Sequence, residues 1–209
     1  MSMATPTNPS LPGTELPVSP VIPVPDPPVR SWWCRRLCPV IFIVLVLVIW
    51  VVSLNQPLTV VLVRHAEKAM TPVDDPPLTA SGQQRAEDLV EVLGDAGIDA
   101  IFTTQLIRTQ LTAEPLGQQL SLPPPIVVDI DENNPGPYVT NLVHQLRAGH
   151  WGDVVLVVSH SGTVPMIADA LGAPATGSID DEFDNLFLIS VPRFWGSATI
   201  VRGRYGAPE

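Results

Sequence analysis

The stretch Leu58-Thr-Val-Val-Leu-Val-Arg-His-Ala-Glu-Lys68 sets five apolar residues in six directly before Arg64, His65, Glu67 and Lys68. A run without polar alternation is the pattern of a strand buried on both faces, as central strands of parallel sheets are. Open α/β sheets bind ligands in the crevice beyond the carboxyl ends of such strands. The Arg64–His65 pair is therefore placed for chemistry.

A second run of the same kind, Val154-Val-Leu-Val-Val158, also ends in polar residues, Ser159-His160-Ser161-Gly162-Thr163. Between the two runs, strand and helix patterns alternate. Thr79 precedes a helical pattern from Ala80 to about Ala96, with Ala86, Leu89, Val90 and Leu93 on one face. A short strand at 98–102, a helix at 105–120, a strand at 126–129 and a helix at 138–148 follow. Beyond Val158 the pattern predicts a helix at 164–171 and strands at 186–190 and 198–201. This alternation predicts an α/β three-layer sandwich, with a mainly parallel central sheet flanked by helices on both faces.

If the two apolar strands are parallel neighbours, His65 and His160 emerge at one sheet edge beside Arg64. The start of the 105–120 helix adds Arg108, Thr104 and the backbone N–H groups of a helix N-terminus. Two arginines, two histidines and hydroxyls around one crevice make a socket for a tetrahedral dianion. The small phosphorylated molecule this implies would meet Arg64, Arg108, Thr104, His160 and Ser161. No group of residues suggests a metal or another cofactor.

Four ordered motifs carry a resemblance to a known family: Arg64-His65-Ala-Glu-Lys68, then Leu78-Thr-x-x-Gly82-x-x-Arg85-Ala86, then Thr104-x-x-x-Arg108-Thr-x-x-Thr112-Ala113, then Ser159-His160-Ser161-Gly162-Thr163-Val-Pro165. Together they resemble the histidine phosphatase superfamily, in its phosphoglycerate mutase-like branch, over about Pro57 to Tyr205. The resemblance implies a metal-independent phosphatase in which His65 is the nucleophile and forms a phosphohistidine. Arg64, Arg108 and His160 would then hold the phosphoryl oxygens. The acid that protonates the leaving group would come from Asp131 or Glu132, since the position after the second histidine is Ser161. A mutase fits less well, because the domain lacks the large insertions of glycolytic mutases. A catalytically idle module that binds a phosphorylated ligand is the alternative from another class.

The N-terminal quarter is different in kind. Residues 1–36 form a Pro-rich stretch with a basic end, nine prolines falling in the first thirty residues, and it reads as a disordered tail open to docking a partner. Residues 37–54 carry no charge and, as a helix, would extend about 27 Å, close to a bilayer core of roughly 30 Å. One transmembrane helix is therefore expected here, with the lipid bilayer as its partner, ahead of a catalytic domain at 57–209. Arg30, Arg35 and Arg36 precede the apolar run, and no Lys or Arg follows before Arg64. That asymmetry predicts a single-pass signal anchor with a cytoplasmic N-terminus and an extracytoplasmic catalytic domain.

Cys34 and Cys38, the two cysteines, lie at the edge of this run and would leave the domain to fold without disulfides. From Pro57 onward eight Lys and Arg face nineteen Asp and Glu, a net charge of −11. Such a domain repels nucleic acid. Any phosphate must be bound by a local pocket against the global field.

Overall fold

The computed structural model describes residues 32–173, 177, 179 and 182–207, with the side chains of 32–36 and 38 excepted. Of the tail expected at 1–36, residues 1–31 lie outside the described residues, and 32–36 fall in the first helix instead. The chain divides into two compact units, Met1–Leu45 and Val46–Glu209.

The first element, α1, runs from Trp32 to Leu54 and contains Pro39. Every described side chain in it is exposed. Among the described residues no helix is long and apolar enough to cross a membrane. The span expected at 37–54 finds no support there.

The remaining elements are β1 (Leu58–Arg64), α2 (Ala80–Leu93), β2 (Ala100–Thr103), α3 (Ile107–Gln119), β3 (Ile126–Val127), α4 (Gly136–Gly149), β4 (Val154–Ser159), α5 (Thr163–Ala170), β5 (Asn185–Val191) and β6 (Thr199–Arg204). They build one six-stranded sheet in the order β3-β2-β4-β1-β5-β6. β1 and β4 are central parallel neighbours, with Arg64 opposite Ser159. β2 and β3 extend the parallel part.

The sheet is mixed rather than mainly parallel throughout, since β5 and β6 pair antiparallel. A parallel neighbour needs a crossover that returns the chain to the starting end of the sheet. β5 begins at the opposite end, with Leu186 across from Val63, and so runs against β1.

The pleat sorts β1 between two cores. Val60 and Leu62 pack with Leu142, Leu146 and Ile167 of α4 and α5. Val61 and Val63 pack with Leu89, Ala113 and Leu116 of α2 and α3. Helices therefore cover both faces, and the residues that follow β1 and β4 leave the sheet at its crevice.

Helix boundaries follow local chemistry. The Thr79 hydroxyl accepts the Gly82 N–H and caps α2, which ends at Leu93 because Gly94 follows. α3 starts two residues later than the spacing suggested. The Leu106 N–H is taken by Thr104 Oγ1 and the Ile107 N–H by the Asp75 carboxylate, at 3.0 and 3.1 Å.

Candidate active site

The backbone of β1 and β4 continues its pairing one step beyond the strands, His65 N–H donating to the Ser159 carbonyl at 2.9 Å. This brings His65 and His160 to the same crevice, both buried, with ring centroids 5.4 Å apart. The tautomers follow from their partners. His65 Nδ1 lies 2.8 Å from the Ala66 carbonyl, which can only accept, so Nδ1 carries the proton and the Nε2 lone pair is available. His160 Nδ1 faces Arg108 Nη2, a donor, at 3.5 Å, so the proton sits on Nε2 and goes to Thr104 Oγ1 at 3.2 Å.

Burial pushes the His65 imidazole down to about 4, with Arg108, Arg64 and Lys68 adding to the effect and the Ala66 carbonyl opposing it. Burial, then the neighbouring His65 and the cations Arg108, Lys68 and Arg64, pushes His160 down to about 3. Both rings are neutral at pH 7. A neutral ring with an aimed lone pair is a nucleophile.

Arg108 is buried, and its Nη2 donates to Glu132 Oε1. Its Nη1 stands 3.9 Å from Asp75 Oδ1. Two loops thus reach the same guanidinium. The 130–135 loop is held there by Gln105, whose amide donates to the Ile130 carbonyl at 2.7 Å and accepts the Ile130 N–H at 2.8 Å. Asp131 is exposed and turned into its own loop, where Oδ1 accepts the Asn133 N–H. Of the two carboxylates expected to serve as acid, Glu132 is at the site and Asp131 closes a turn.

Arg64 lies 3.8 Å over the Phe183 ring, and its Nη1 donates to the carbonyls of Ile179 and Glu182 at 3.4 Å. Phe183 also stands 6.1 Å from the His65 ring. Thr104 is fully buried between His160 and Thr109. Ser161 is half-buried in the turn between His160 and α5. The structure therefore brings Arg64, His65, Thr104, Arg108, Glu132 and His160 together. The free helix N-terminus expected at α3 is not free, because Asp75 fills it.

The sequence reading assigned no role of their own to several supporting residues. Thr112 Oγ1 accepts the Ala66 N–H and donates to the Arg108 carbonyl, fixing His65 against α3. Thr163 Oγ1 accepts the His160 N–H and meets Ser159 Oγ at 2.7 Å, which in turn meets the Tyr138 hydroxyl at 2.9 Å. Glu67 pairs with Arg85 at 2.7 Å. Burial would raise the Glu67 carboxyl, but the Arg85 guanidinium and hydrogen bonding outweigh it and hold the group below the usual range. Threonine at turns is the signal that could have been read; the partners of Tyr138 and Arg85 are set by tertiary approach.

Residues 60–140 match the model of the histidine phosphatase superfamily, branch 1. The protein histidine phosphatase SixA, solved with tungstate, superposes with a TM-score of 0.56 at 21% identity, over 70% of this chain and 96% of that one. The sequence likeness is to that superfamily over residues 60–140, and the structural likeness is one of fold. A mycobacterial glucosyl-3-phosphoglycerate phosphatase shares the fold with a TM-score of 0.52 at 20% identity, over 73% of this chain and all of that one. A PE-PGRS family protein of Mycobacterium tuberculosis is 39% identical over 90 residues. This chain spans 15% of that relative's length. The histidine phosphatase match takes in β1, α2, β2 and α3, hence Arg64, His65, Thr104 and Arg108; His160 lies beyond it.

Proposed function

We propose that the protein hydrolyses a phosphomonoester or phosphohistidine through a phosphohistidine intermediate on His65. The observation that carries this is a neutral, buried His65 whose Nδ1 is taken by the Ala66 carbonyl, leaving Nε2 unprotonated, beside Arg64, Arg108 and His160. His65 Nε2 attacks phosphorus, forming a P–N bond while the bond to the leaving oxygen breaks. Arg64 and Arg108 supply donors for the equatorial oxygens, where charge is stabilised in phosphoryl transfer, and His160 Nε2–H and the Thr104 hydroxyl join them by exchanging the bond between them for bonds to phosphate. Protonated Glu132 gives its proton to the leaving oxygen. Water then attacks phosphorus and gives its proton to Glu132 while the P–N bond breaks, so that phosphate leaves and both His65 and Glu132 return to their starting states. The residues named need no metal for these steps.

Glu132 is held on Arg108. A phosphate taking that guanidinium would free Glu132 within reach of the leaving group. The names of the structural neighbours, phosphatases acting on a phosphorylated sugar acid and on phosphohistidine, are compatible with either substrate class.

A membrane anchor belongs to the same proposal. Supporting it are the uncharged run 37–54, the helix Trp32–Leu54 and the exposure of its described apolar side chains. Exposed apolar helices of this composition are stable in lipid. The basic residues before the run favour a cytoplasmic N-terminus, an extracytoplasmic catalytic domain and a tail available to a cytoplasmic partner.

The test is phosphate release from an activated aryl phosphate and a phosphohistidine peptide by the full chain in detergent, beside His65→Ala. Rapid quench with mass spectrometry should recover phosphate on His65 in the wild type. A folded protein that binds vanadate but releases no phosphate and carries none on His65 would overturn the enzyme in favour of a binding module.

A further inference from the structure

The chain leaves α1 at Leu54 and enters β1 at Leu58, and Leu58 stands opposite Val191, the last residue of β5. The hairpin loop 192–198 between β5 and β6 therefore lies at the sheet end where the chain arrives from the apolar helix. It is tied there, since the Phe194 N–H donates to Asn55 Oδ1 at 3.2 Å. The loop tip exposes two large aromatics side by side, Phe194 at 57% and Trp195 at 65%, with ring centroids 6.1 Å apart.

Nothing in catalysis asks for this pair. The site is at the other end of β1, roughly 20 Å away at about 3.3 Å per residue. The turn behind it needs glycine: Gly196 takes φ +106, a left-handed value that favours glycine. Arg193 stands 5.2 Å from the Phe194 ring and 5.7 Å from the Trp151 ring, an exposed cation beside the aromatic tip.

Phenylalanine and tryptophan next to arginine are the composition of a bilayer interface, where rings sit at the headgroup level and a guanidinium reaches lipid phosphate. We propose that Phe194 and Trp195 insert into the bilayer interface beside the point where the anchor enters the domain. This rests on the anchor reading given above. The contact would give the catalytic domain a second attachment, one hydrogen bond removed from the first, and fix which sheet end faces lipid. The His65 crevice would then open away from the bilayer, toward substrates in the aqueous phase.

The experiment uses the full chain in phosphatidylcholine vesicles and takes the emission of Trp195 as the difference between wild type and Trp195→Phe. A phenylalanine at this exposed position leaves the fold intact. Vesicles with brominated acyl chains should lower that difference emission about twofold, and aqueous iodide should barely change it, as expected for an interfacial ring. An emission quenched by iodide and untouched by bromine, or untouched by either because a second copy covers the ring, would overturn the contact. Alkaline carbonate separates the two readings. Protein that stays on the vesicles while Trp195 is in water sinks this inference alone, whereas protein that washes off sinks the anchor and the contact with it.

Discussion

The rings of His65 and His160 meet edge to face, with centroids 5.4 Å apart and planes inclined by 62°. Two histidines this close cannot both charge cheaply, and burial already disfavours the first proton. Their folded values of about 4 and about 3 lie below the unfolded value of 6.5. The unfolded chain therefore binds more protons across that window, and stability rises with pH there. The contribution is fully present above pH 6.5 and is lost as pH falls through the folded values. Urea unfolding between pH 7.5 and 4.5 should show a steeper loss in the wild type than in His65→Asn/His160→Asn. The slope approaches about 1.4 kcal/mol per pH unit for each histidine. In the same range kcat/KM should hold its plateau down to about pH 5, since His65 stays neutral.

The pairing of Glu132 with Arg108, against the turn made by Asp131, separates two carboxylates that sequence left equivalent. Glu132→Gln should lower kcat on alkyl phosphates by about a hundredfold, while activated aryl phosphates, which need no proton, change little. Asp131→Asn should leave both within about twofold, because an asparagine oxygen still closes the turn. Steady-state kinetics on the two substrate types checks both. Equal losses on both types for Glu132→Gln would remove it as the acid.

Arg85 is buried at 5% exposure and donates to both oxygens of Glu67 and to the carbonyls of Tyr205 and Ala207. It joins the loop after β1 to α2 and to the segment after β6. Arg85→Met should destabilise by about 3 kcal/mol, since the half-buried Glu67 carboxylate loses its partner. Glu67→Gln, which keeps an acceptor, should cost less. Chemical denaturation of the two variants orders them.

Gly82 stands where a methyl group would collide with the Glu67 carbonyl oxygen. That carbonyl accepts the Thr79 N–H at 2.9 Å, so neither backbone can retreat without loosening the cap of α2. Gly82→Ala should destabilise by about 1–3 kcal/mol despite the higher helix propensity of alanine. A rise in the urea midpoint would show that the approach relaxes freely.

Much of this was legible in the chain. β1 and β4 announced themselves because a strand buried on both faces has no polar face to interrupt it, and their ends gave Arg64, His65 and His160. Arg108 and Thr104 followed from their place around the start of a helix. What could not be read was set by tertiary approach. The antiparallel run of β5 depends on which end of the sheet the chain re-enters at Asn185, and its alternating pattern fits either direction. Asp75 at the start of α3 comes from thirty-two residues upstream. The stretch around Phe183 reads as an acidic loop, and its aromatic contact with Arg64 appears only once β5 lies beside β1.

The two rims of the sheet differ in how they meet a neighbour. β3 is two residues long and offers little to pair with. β6 is longer and its outer edge is open, the kind of strand on which chains add to one another. It carries Arg202 and Arg204, both held by Glu182 and the latter also by Asp184. A copy adding edge-on would bring its own arginines against these, and each would have to leave its carboxylate to make room. Crowded among others of its kind, the molecule carries at this rim a deterrent to polymerising through its sheet.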